Sequence, residues 1–255
     1  MTEWILGRNP VSEALRANRR RFFRLWVAEK ADQKRHLKDA LDMARQRGIP
    51  VEFLPRQRLD ALGENHQSVA LEASAYPYAS LLDILSRAQQ RNQAPFILIL
   101  DTVQDTHNLG ALLRTAEAVG VHGVLLPLRR TATVTPAVVN TSSGACEHLL
   151  VAQTNLAQAI SALKNENVWV YGLEGSEEAQ SIETIKLSGA TALVVGNEGS
   201  GLRSLVRQSC DVLVKLPMRG HIDSLNAAVA GSVGLYFIWQ ARKFSSETID
   251  DTFNS

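Results

Sequence analysis

The chain has 255 residues, of which 45% are hydrophobic and 21% charged, and its formal net charge at pH 7 is +1. These values are typical of a globular protein with one large or two smaller domains, and no run of about 18 apolar residues is present to span a bilayer. Cys146 and Cys210 suit neither a disulfide framework nor a Cys/His metal site, and the first residues do not resemble a targeting leader, so we expect a cytoplasmic protein without a bound metal.

The first 75 residues alternate between segments of helical and of strand periodicity. The patterns predict, in order, a helix at 7–17, a strand at 22–27, a helix at 32–47, a strand at 51–54, a helix at 56–63 and a strand at 68–73. We therefore expect a small α/β domain over residues 1–75.

This first part of the chain is also basic. Residues 1–50 carry 12 Lys and Arg against 6 Asp and Glu, and the arginines are densest between Arg16 and Arg24. Guanidinium groups bind phosphates through paired donors, so nucleic acid is the first partner to consider. A solvated helix face explains such a run equally well.

Residues 76–94 interrupt the pattern and are predicted to form a linker that contains a helix at 81–90. Strands and helices alternate from Phe96 onward, which predicts a second α/β domain over residues 95–245 and a disordered tail at 246–255. Its predicted strands are 96–100, 123–126, the segment around 151, 168–173, 192–195 and 212–216, and its predicted helices are 109–119, 136–149, 156–165, 202–209 and 225–244. Continuous apolar strands such as 96–100 are typical of a parallel sheet that is buried on both faces.

Three loops of this second domain carry polar residues and glycines directly after a predicted strand. They are 101–110, 196–201 and 216–226. Because the carboxyl ends of strands in an α/β sheet meet at one edge, we expect the three loops to line one pocket.

In the first of these loops, Asn108 is predicted to cap the following helix and Gly110 to allow close approach of a ligand or of another backbone segment. Arg114 follows six residues after Asn108. The alternative is a purely structural turn organised by Asp101 and Asp105, with Arg114 as a surface charge.

The second and third loops allow similar pairs of interpretations. Gly196, Gly199 and Gly201 would expose main-chain groups to a nucleotide-type ligand. Their spacing matches neither the dinucleotide fingerprint nor the phosphate loop of nucleoside triphosphatases. The alternative is a tight structural turn. In the third loop, Ser224 is predicted to cap the last helix, with Asn226 in its first turn.

Taken together, the three loops resemble the signatures of the SpoU-type (TrmH) branch of the SPOUT RNA methyltransferases. The signatures are Asn-Leu-Gly-x-x-x-Arg-x-Ala, at 108–116, Gly-x-Glu-x-x-Gly, at 196–201, and Ser-Leu-Asn-x-x-Val-Ala, at 224–230. One departure is Thr106, where the family usually has proline. The segment 7–15, Gly-Arg-Asn-Pro-Val-Ser-Glu-Ala-Leu, is similar to the start of the substrate-binding domain in the subfamily that methylates guanosine of ribosomal RNA.

The resemblance implies an N-terminal α/β RNA-binding domain and a C-terminal parallel-sheet SPOUT domain with a trefoil knot, through which a homodimer forms. It also implies S-adenosyl-L-methionine as methyl donor and the ribose 2′-hydroxyl of a guanosine in 23S ribosomal RNA, in the large subunit, as acceptor. The catalytic residues that carry over by position are Asn108, Arg114, Glu198, Ser224 and Asn226. The implied cofactor-binding residues are Leu173, Gly175, Val195, Gly196, Gly199, Leu216, Met218, Leu225 and Asn226, and the expected RNA-binding residues are Arg8, Arg19, Arg20 and Arg21.

Arg114 is the family's proposed general base. An arginine stays protonated near neutral pH, so we expect Arg114 instead to hold a neighbouring phosphate through two parallel hydrogen bonds. Three alternatives for the whole chain stay open at this point: methylation of transfer RNA by the same chemistry, a non-catalytic ribosomal RNA-binding protein, and a nucleotide-dependent enzyme of another reaction class.

Overall fold

The structure is a computed structural model that describes residues 2–32, 35–199, 201–222 and 224–244. The N-terminal part is a four-stranded sheet in the order β1-β4-β2-β3. Its strands are β1 (Thr2–Leu6), β2 (Phe22–Ala28), β3 (Val51–Leu54) and β4 (Val69–Ser74), and its helices are α1 (Arg8–Ala17), α2 (Arg35–Gln46) and α3 (Arg56–Asp60). β2 and β3 are parallel, and β4 runs antiparallel to both β1 and β2.

The C-terminal part begins with α4 (Leu81–Gln90), which Ser80 and Asp83 start with a reciprocal capping box. A seven-stranded sheet follows, in the order β7-β6-β5-β10-β8-β11-β9, and every pairing within it is parallel. Its strands are β5 (Phe96–Leu100), β6 (Gly123–Pro127), β7 (Leu150–Thr154), β8 (Trp169–Leu173), β9 (Gln180–Ser181), β10 (Thr191–Val195) and β11 (Val212–Lys215). Its helices are α5 (Thr106–Ala118), α6 (Pro136–Thr141), α7 (Leu156–Asn165), α8 (Ser204–Ser209) and α9 (Ala227–Ala241).

Every residue of β5, β6 and β10 is buried. Helices cover both faces of these strands, which explains why their sequences are continuously apolar rather than alternating. The prediction of an α/β protein with a parallel C-terminal sheet is therefore confirmed. β10 lies between β5 and β8, so the loops that leave β5 and β10 start side by side at the carboxyl edge of the sheet.

Several elements differ from the sequence prediction. β1 was not predicted, because its pairing partner β4 lies almost 70 residues further along the chain, and the two-residue β9 was not predicted either. The predicted helix at 136–149 is wrong as one element: left-handed φ angles of 55° at Ser143 and 87° at Gly144 separate α6 from a short 3₁₀ turn at Ala145–His148. The last helix begins at Ala227, two residues later than predicted.

The junction of the two sheets contains the arginine-rich turn after α1. The side chain of Arg20 is fully buried and donates two hydrogen bonds to Glu147, from Nε to Oε2 at 2.9 Å and from Nη2 to Oε1 at 2.7 Å. A third bond, 2.9 Å long, runs from Nη1 to Glu3. Burial disfavours the charged guanidinium, but the two carboxylates outweigh this effect and hold the pKa of Arg20 above its ordinary value.

Arg19 is held in the same junction. Its guanidinium donates to the main-chain carbonyl groups of Pro77, Glu147 and Leu149. Both guanidinium groups are used inside the protein to join its two parts, which argues against the prediction that Arg19 and Arg20 bind RNA.

Within the described part of the chain, no helix is both long and apolar enough to span a membrane. The predicted disordered tail at 246–255 lies outside the described residues. The trefoil knot stays a prediction.

Candidate active site

A cavity of about 540 Å³ opens at the carboxyl edge of the large sheet. It is lined by residues from the ends of β8, β10 and β11 and from the loop that leads into α9. Two of the three sequence loops, 196–201 and 216–226, therefore meet at one cavity, and the third reaches it through hydrogen bonds to Glu198.

Glu198 stands at the centre of an amide–carboxylate cluster. Its Oε1 accepts a hydrogen bond from Nδ2 of Asn108 at 3.1 Å and a further hydrogen bond from Nδ2 of Asn226. The Asn226 amide also donates to Oδ1 of Asn108 at 3.1 Å. Three residues that are separated by 28 to 118 positions in the chain thus form a closed network beside the cavity.

Asn108 is placed in this cluster by the first turn of α5. The helix begins earlier than predicted, at Thr106, and its cap is Asp105, whose Oδ1 accepts from the main-chain N–H of His107 at 2.6 Å. The prediction that Asn108 is the cap is wrong, and its side chain is consequently free to reach Glu198. Thr106 occupies the first helical position, where proline is favoured, so the departure at this residue leaves the helix start intact.

Gly110 serves packing rather than ligand approach. A Cβ atom on Gly110 would lie 2.1 Å from Oγ1 of Thr141 and 3.0 Å from the main-chain nitrogen of Ser142. The close contact between α5 and the end of α6 therefore requires glycine at this position.

The loop that carries Glu198 is held in a compact form. Asn197 and Gly201 bond to each other through their main chains at 3.0 and 3.1 Å, and Nδ2 of Asn197 donates to the carbonyl of Thr102 at 3.1 Å. A Cβ on Gly196 would lie 2.4 Å from the main chain of Gly201. The turn thus needs glycine at position 196, and it is attached to the end of β5.

Asp101 joins the end of β5 to Arg203 at the start of α8. The sequence indicated only that Asp101 is a turn residue. It is fully buried, and its carboxylate accepts from the main-chain nitrogen of Arg203 at 2.8 Å and from Nε of the same residue at 2.6 Å. A buried carboxylate is tolerated when it is paired and hydrogen-bonded in this way. The position of Asp101 directly after a buried strand was the only available signal.

Asn226 caps the final helix. Its Oδ1 accepts from the main-chain nitrogens of Ala228 at 2.9 Å and of Val229 at 3.2 Å. The prediction that Ser224 is the cap is wrong, because the helix starts two residues later. With its oxygen used by the helix, Asn226 directs its amide N–H groups toward Glu198 and Asn108.

Most of the residues predicted to hold the cofactor line the cavity. These are Leu173, Gly175, Val195, Gly196, Leu216, Met218 and Leu225, together with Glu198 and Ser224 from the catalytic set. Gly199 and Asn226 lie next to the lining residues in sequence but are not among them. The main-chain N–H groups of Leu216 and Met218 have no hydrogen-bond partner within the described residues, so donors and apolar surface are both available to a ligand here.

Arg114 does not join the cluster. Six residues separate it from Asn108, which places the two side chains about 120° apart around the helix. Its side chain is exposed, and Nη1 donates to Oγ of Ser143 at 3.3 Å. The structure therefore gives Arg114 a separate place on the surface of α5.

The remaining RNA-binding predictions fall in the N-terminal part, with Arg8 at the start of α1 and Arg21 just before β2. Arg21 is exposed and lies over the ring of Phe23, whereas Arg8 is partly buried and bonds through Nε to the carbonyl of Gln67 at 3.2 Å. Sequence reasoning missed a neighbouring surface on which Trp4 and Trp26 contact each other, with ring centroids 4.4 Å apart and ring planes tilted by 39°.

Two arginines also lie against these rings, and one of them, Arg24, is paired with Glu72 through Nε and Oε2 at 2.6 Å. The guanidinium of Arg24 lies 5.5 Å from the ring centroid of Trp4 and 5.0 Å from that of Trp26, and Arg58 lies 6.0 Å from Trp26. Aromatic rings and arginine side chains on one sheet are a combination that can stack with RNA bases. The alternation of Trp4 and Leu6 in β1 was the signal that could have identified it.

Within the described ranges, no group of three or more His, Cys, Asp or Glu side chains could hold a metal ion. The arrangement is that of an enzyme of the α/β class, with a cavity for an organic ligand and a polar cluster beside it. It carries no side chains placed for metal chemistry in this part of the chain.

Sequence comparison identifies the family. Residues 95–236 match the model of the SpoU rRNA methylase family, and residues 4–79 match the model described as RNA 2′-O ribose methyltransferase substrate binding. The chain is 39% identical over 242 residues to YacO of Bacillus subtilis, whose name assigns it to the TrmH family of tRNA/rRNA methyltransferases, and the match covers 94% of this chain and 96% of that protein. The chain therefore belongs to the SpoU (TrmH) family of RNA methyltransferases.

The fold agrees with solved structures of this kind. The SpoU methyltransferase AviRb from Streptomyces viridochromogenes, in complex with AdoMet, superposes with a TM-score of 0.77 at 22% identity, covering 94% of this chain and 90% of that one. An AdoMet-bound rRNA methyltransferase from Sinorhizobium meliloti superposes with a TM-score of 0.76 at 23% identity, with 94% and 87% covered. The family matches, together with this agreement in fold, confirm the resemblance to SpoU-type methyltransferases that the three sequence loops indicate.

Proposed function

We propose that the chain transfers a methyl group from S-adenosyl-L-methionine to the ribose 2′-hydroxyl of a guanosine in 23S ribosomal RNA, in the cytoplasm. The observation that carries this proposal is the Asn108–Glu198–Asn226 cluster beside a 540 Å³ cavity. The choice of ribosomal RNA rests on the likeness of residues 7–15 to the RlmB group of 23S ribosomal RNA methyltransferases. Methylation of transfer RNA is the alternative, since the relatives are named for both RNA classes.

The cavity suits the methyl donor on three counts. Its size is that of a small-molecule site, Met218 and Leu225 offer exposed apolar side chains, and the free N–H groups of Leu216 and Met218 can donate to ring nitrogens of an adenine. When bound, the sulfonium supplies an activated methyl group with its leaving group already in place. The contribution of the protein is then chiefly alignment.

The chain's own residues would hold the acceptor. In the transfer the 2′-oxygen would bond to the methyl carbon as the carbon–sulfur bond of the donor breaks, and the hydroxyl proton would leave to water or to a neighbouring phosphate. Glu198 and Asn108 would orient the ribose, and Ser224 and Asn226 would order the third loop. Arg114 would bind the adjacent phosphate, because a protonated guanidinium offers two parallel donors but no base.

The proposal assigns residues 1–75 to RNA binding, 76–94 to a linker and 95–245 to methyl transfer.

The proposal also includes a homodimer that forms through the C-terminal part. Support comes from α9, on which Val229, Val233 and Tyr236 are exposed by 49%, 37% and 47% at a helical spacing. An exposed apolar stripe of this kind is typical of an interface, and Val233→Arg should shift the mass measured by sedimentation from dimer to monomer.

Calorimetric titration with S-adenosylmethionine, and methyl transfer to unmodified 23S and transfer RNA, test the central claim. We expect saturable cofactor binding and one ribose-methylated guanosine in 23S RNA, located by mapping 2′-O-methyl nucleotides in RNA from cells with and without the protein. Methylation of transfer RNA alone would contradict the proposal that ribosomal RNA is the substrate. Absence of saturable heat would contradict the proposal that the chain is an S-adenosylmethionine-dependent enzyme.

The cluster has its own test. Glu198→Ala removes a charged acceptor whose hydrogen bonds contribute about 1.5–3 kcal/mol each, so the single-turnover rate should fall about 10-fold or more. Glu166→Ala, which removes an exposed carboxylate at the far end of α7, serves as the control. An unchanged rate in Glu198→Ala would remove the proposed role.

A further inference from the structure

A second cavity, of about 570 Å³, lies at the carboxyl edge of the sheet on the other side of Asp101. Its walls come from the segments that follow β6 and β7 and from the start of α8. We call this cavity the arginine groove, after the three arginines that line it: Arg129, Arg130 and Arg203.

The groove carries uncompensated positive charge. No carboxylate is among its lining residues. Arg203 is neutralised by Asp101, to which its Nη2 lies at 2.6 Å. Arg129 and Arg130 are exposed, and neither makes a hydrogen bond or an ion pair within the described residues. Two free guanidinium groups on one wall therefore make the groove a site for a polyanion.

The groove is connected to the candidate active site through one backbone segment. The loop that carries Arg129 and Arg130 is attached to the end of β5 by two hydrogen bonds to the carbonyl of Val103, from Ala132 N at 2.8 Å and from Thr131 Oγ1 at 2.9 Å. The preceding residue, Thr102, accepts the hydrogen bond that holds the Glu198 loop. One three-residue segment, 101–103, thus contacts both the wall of the groove and the loop that carries Glu198.

The groove also offers apolar surface at its rim. Leu128, which follows β6, is 65% exposed, and Leu205, in α8, is 64% exposed. Exposed leucines beside free arginines suit a ligand that alternates charge with flat apolar faces. A single-stranded nucleic acid has that composition, because its phosphates alternate with riboses and bases.

We propose that the arginine groove binds the phosphate backbone of the RNA strand that flanks the target nucleotide, with Arg129 and Arg130 each contacting a phosphate. This inference rests on the proposed function for the identity of the strand. An acidic segment of another protein would also be attracted by the charge, but the attachment of the groove to the catalytic cluster favours the strand that enters the active site.

The test is an RNA-binding measurement on the full chain with Arg129→Ala/Arg130→Ala. A matched control, Arg91→Ala/Lys186→Ala, removes the same charge from two exposed positions that precede β5 and β10. Binding of poly(U) and of a 23S RNA transcript is followed at several salt concentrations. We expect the groove variant to bind both RNAs about 10-fold more weakly than the control variant, and the slope of log K against log salt to fall by about 1.4 to 1.8, the value for two phosphates.

The affinity of the groove variant for S-adenosylmethionine and its turnover at saturating RNA should equal those of wild type, which separates this proposal from the proposed function. Equal RNA affinity in the two double variants would overturn the groove as an RNA site. So would a result in which poly-glutamate binding falls in the groove variant while RNA binding does not, since the groove would then serve a protein partner. If wild type transfers no methyl group to RNA, the proposed function fails. The poly(U) comparison would still show whether the arginine groove binds RNA.

Discussion

Replacing Arg20 by methionine should destabilise the protein strongly while leaving its affinity for RNA unchanged. Arg20 and Glu147 are both almost fully buried, and two hydrogen bonds of 2.7 and 2.9 Å join them. Removing the guanidinium leaves the Glu147 carboxylate in the interior without its partner. Breaking a buried pair in this way costs about 3–5 kcal/mol, which is a large share of the stability of an ordinary domain.

Urea unfolding followed by tryptophan fluorescence gives the free energy of unfolding of four chains: wild type, Arg20→Met, Glu147→Leu and the double variant. The double variant should recover most of the loss, because it leaves neither charge unpaired. Arg21→Met, at the exposed neighbouring position, should change stability by less than about 0.5 kcal/mol.

The reasoning would be refuted if Arg20→Met cost less than about 1 kcal/mol, or if it weakened RNA binding as much as Arg21→Met does. Either result would indicate that the Arg20 side chain lies on the protein surface. RNA affinity is therefore measured on all variants at a urea concentration where each is folded.

Two further predictions concern stability. Gly110→Ala should lower the free energy of unfolding by about 1–3 kcal/mol, since its Cβ would overlap Thr141 at 2.1 Å, and an unchanged urea midpoint would contradict the packing argument. His122 is buried, and burial together with the charge of Arg242 lowers its pKa from 6.5 to about 4. Because the unfolded chain takes up this proton below pH 6.5 and the folded chain does not, stability should fall by up to about 3 kcal/mol between pH 6.5 and 4. His122→Asn should show a shallower fall in urea titrations, and equal slopes would show that another group is responsible.

The strands of the large sheet could be predicted from the sequence because burial on both faces requires continuous apolar residues. The ends of the helices could not. Asp105 and Asn108 are both good capping residues, as are Ser224 and Asn226, and local rules cannot choose between candidates two or three positions apart. In each case the structure uses a different residue from the one predicted.

Side-chain partners distant in the chain explain the other differences. A run of arginines has the same local pattern whether it is solvated or buried, and the partner of Arg20 lies 127 positions away. The convergence of Asn108, Glu198 and Asn226 could be predicted more readily than the partner of Arg20, because it follows from strand ends that share one edge of a sheet. The roles of these residues in catalysis stay predictions.

The segment 101–103 has a thermodynamic consequence. This segment is attached on one side to the loop that shapes the cofactor cavity and on the other to the wall of the arginine groove. A ligand that binds at either side would order the segment. The second ligand would then pay a smaller entropy cost for restricting its motion. Donor and nucleic acid should then strengthen each other's binding by the same factor, whichever arrives first.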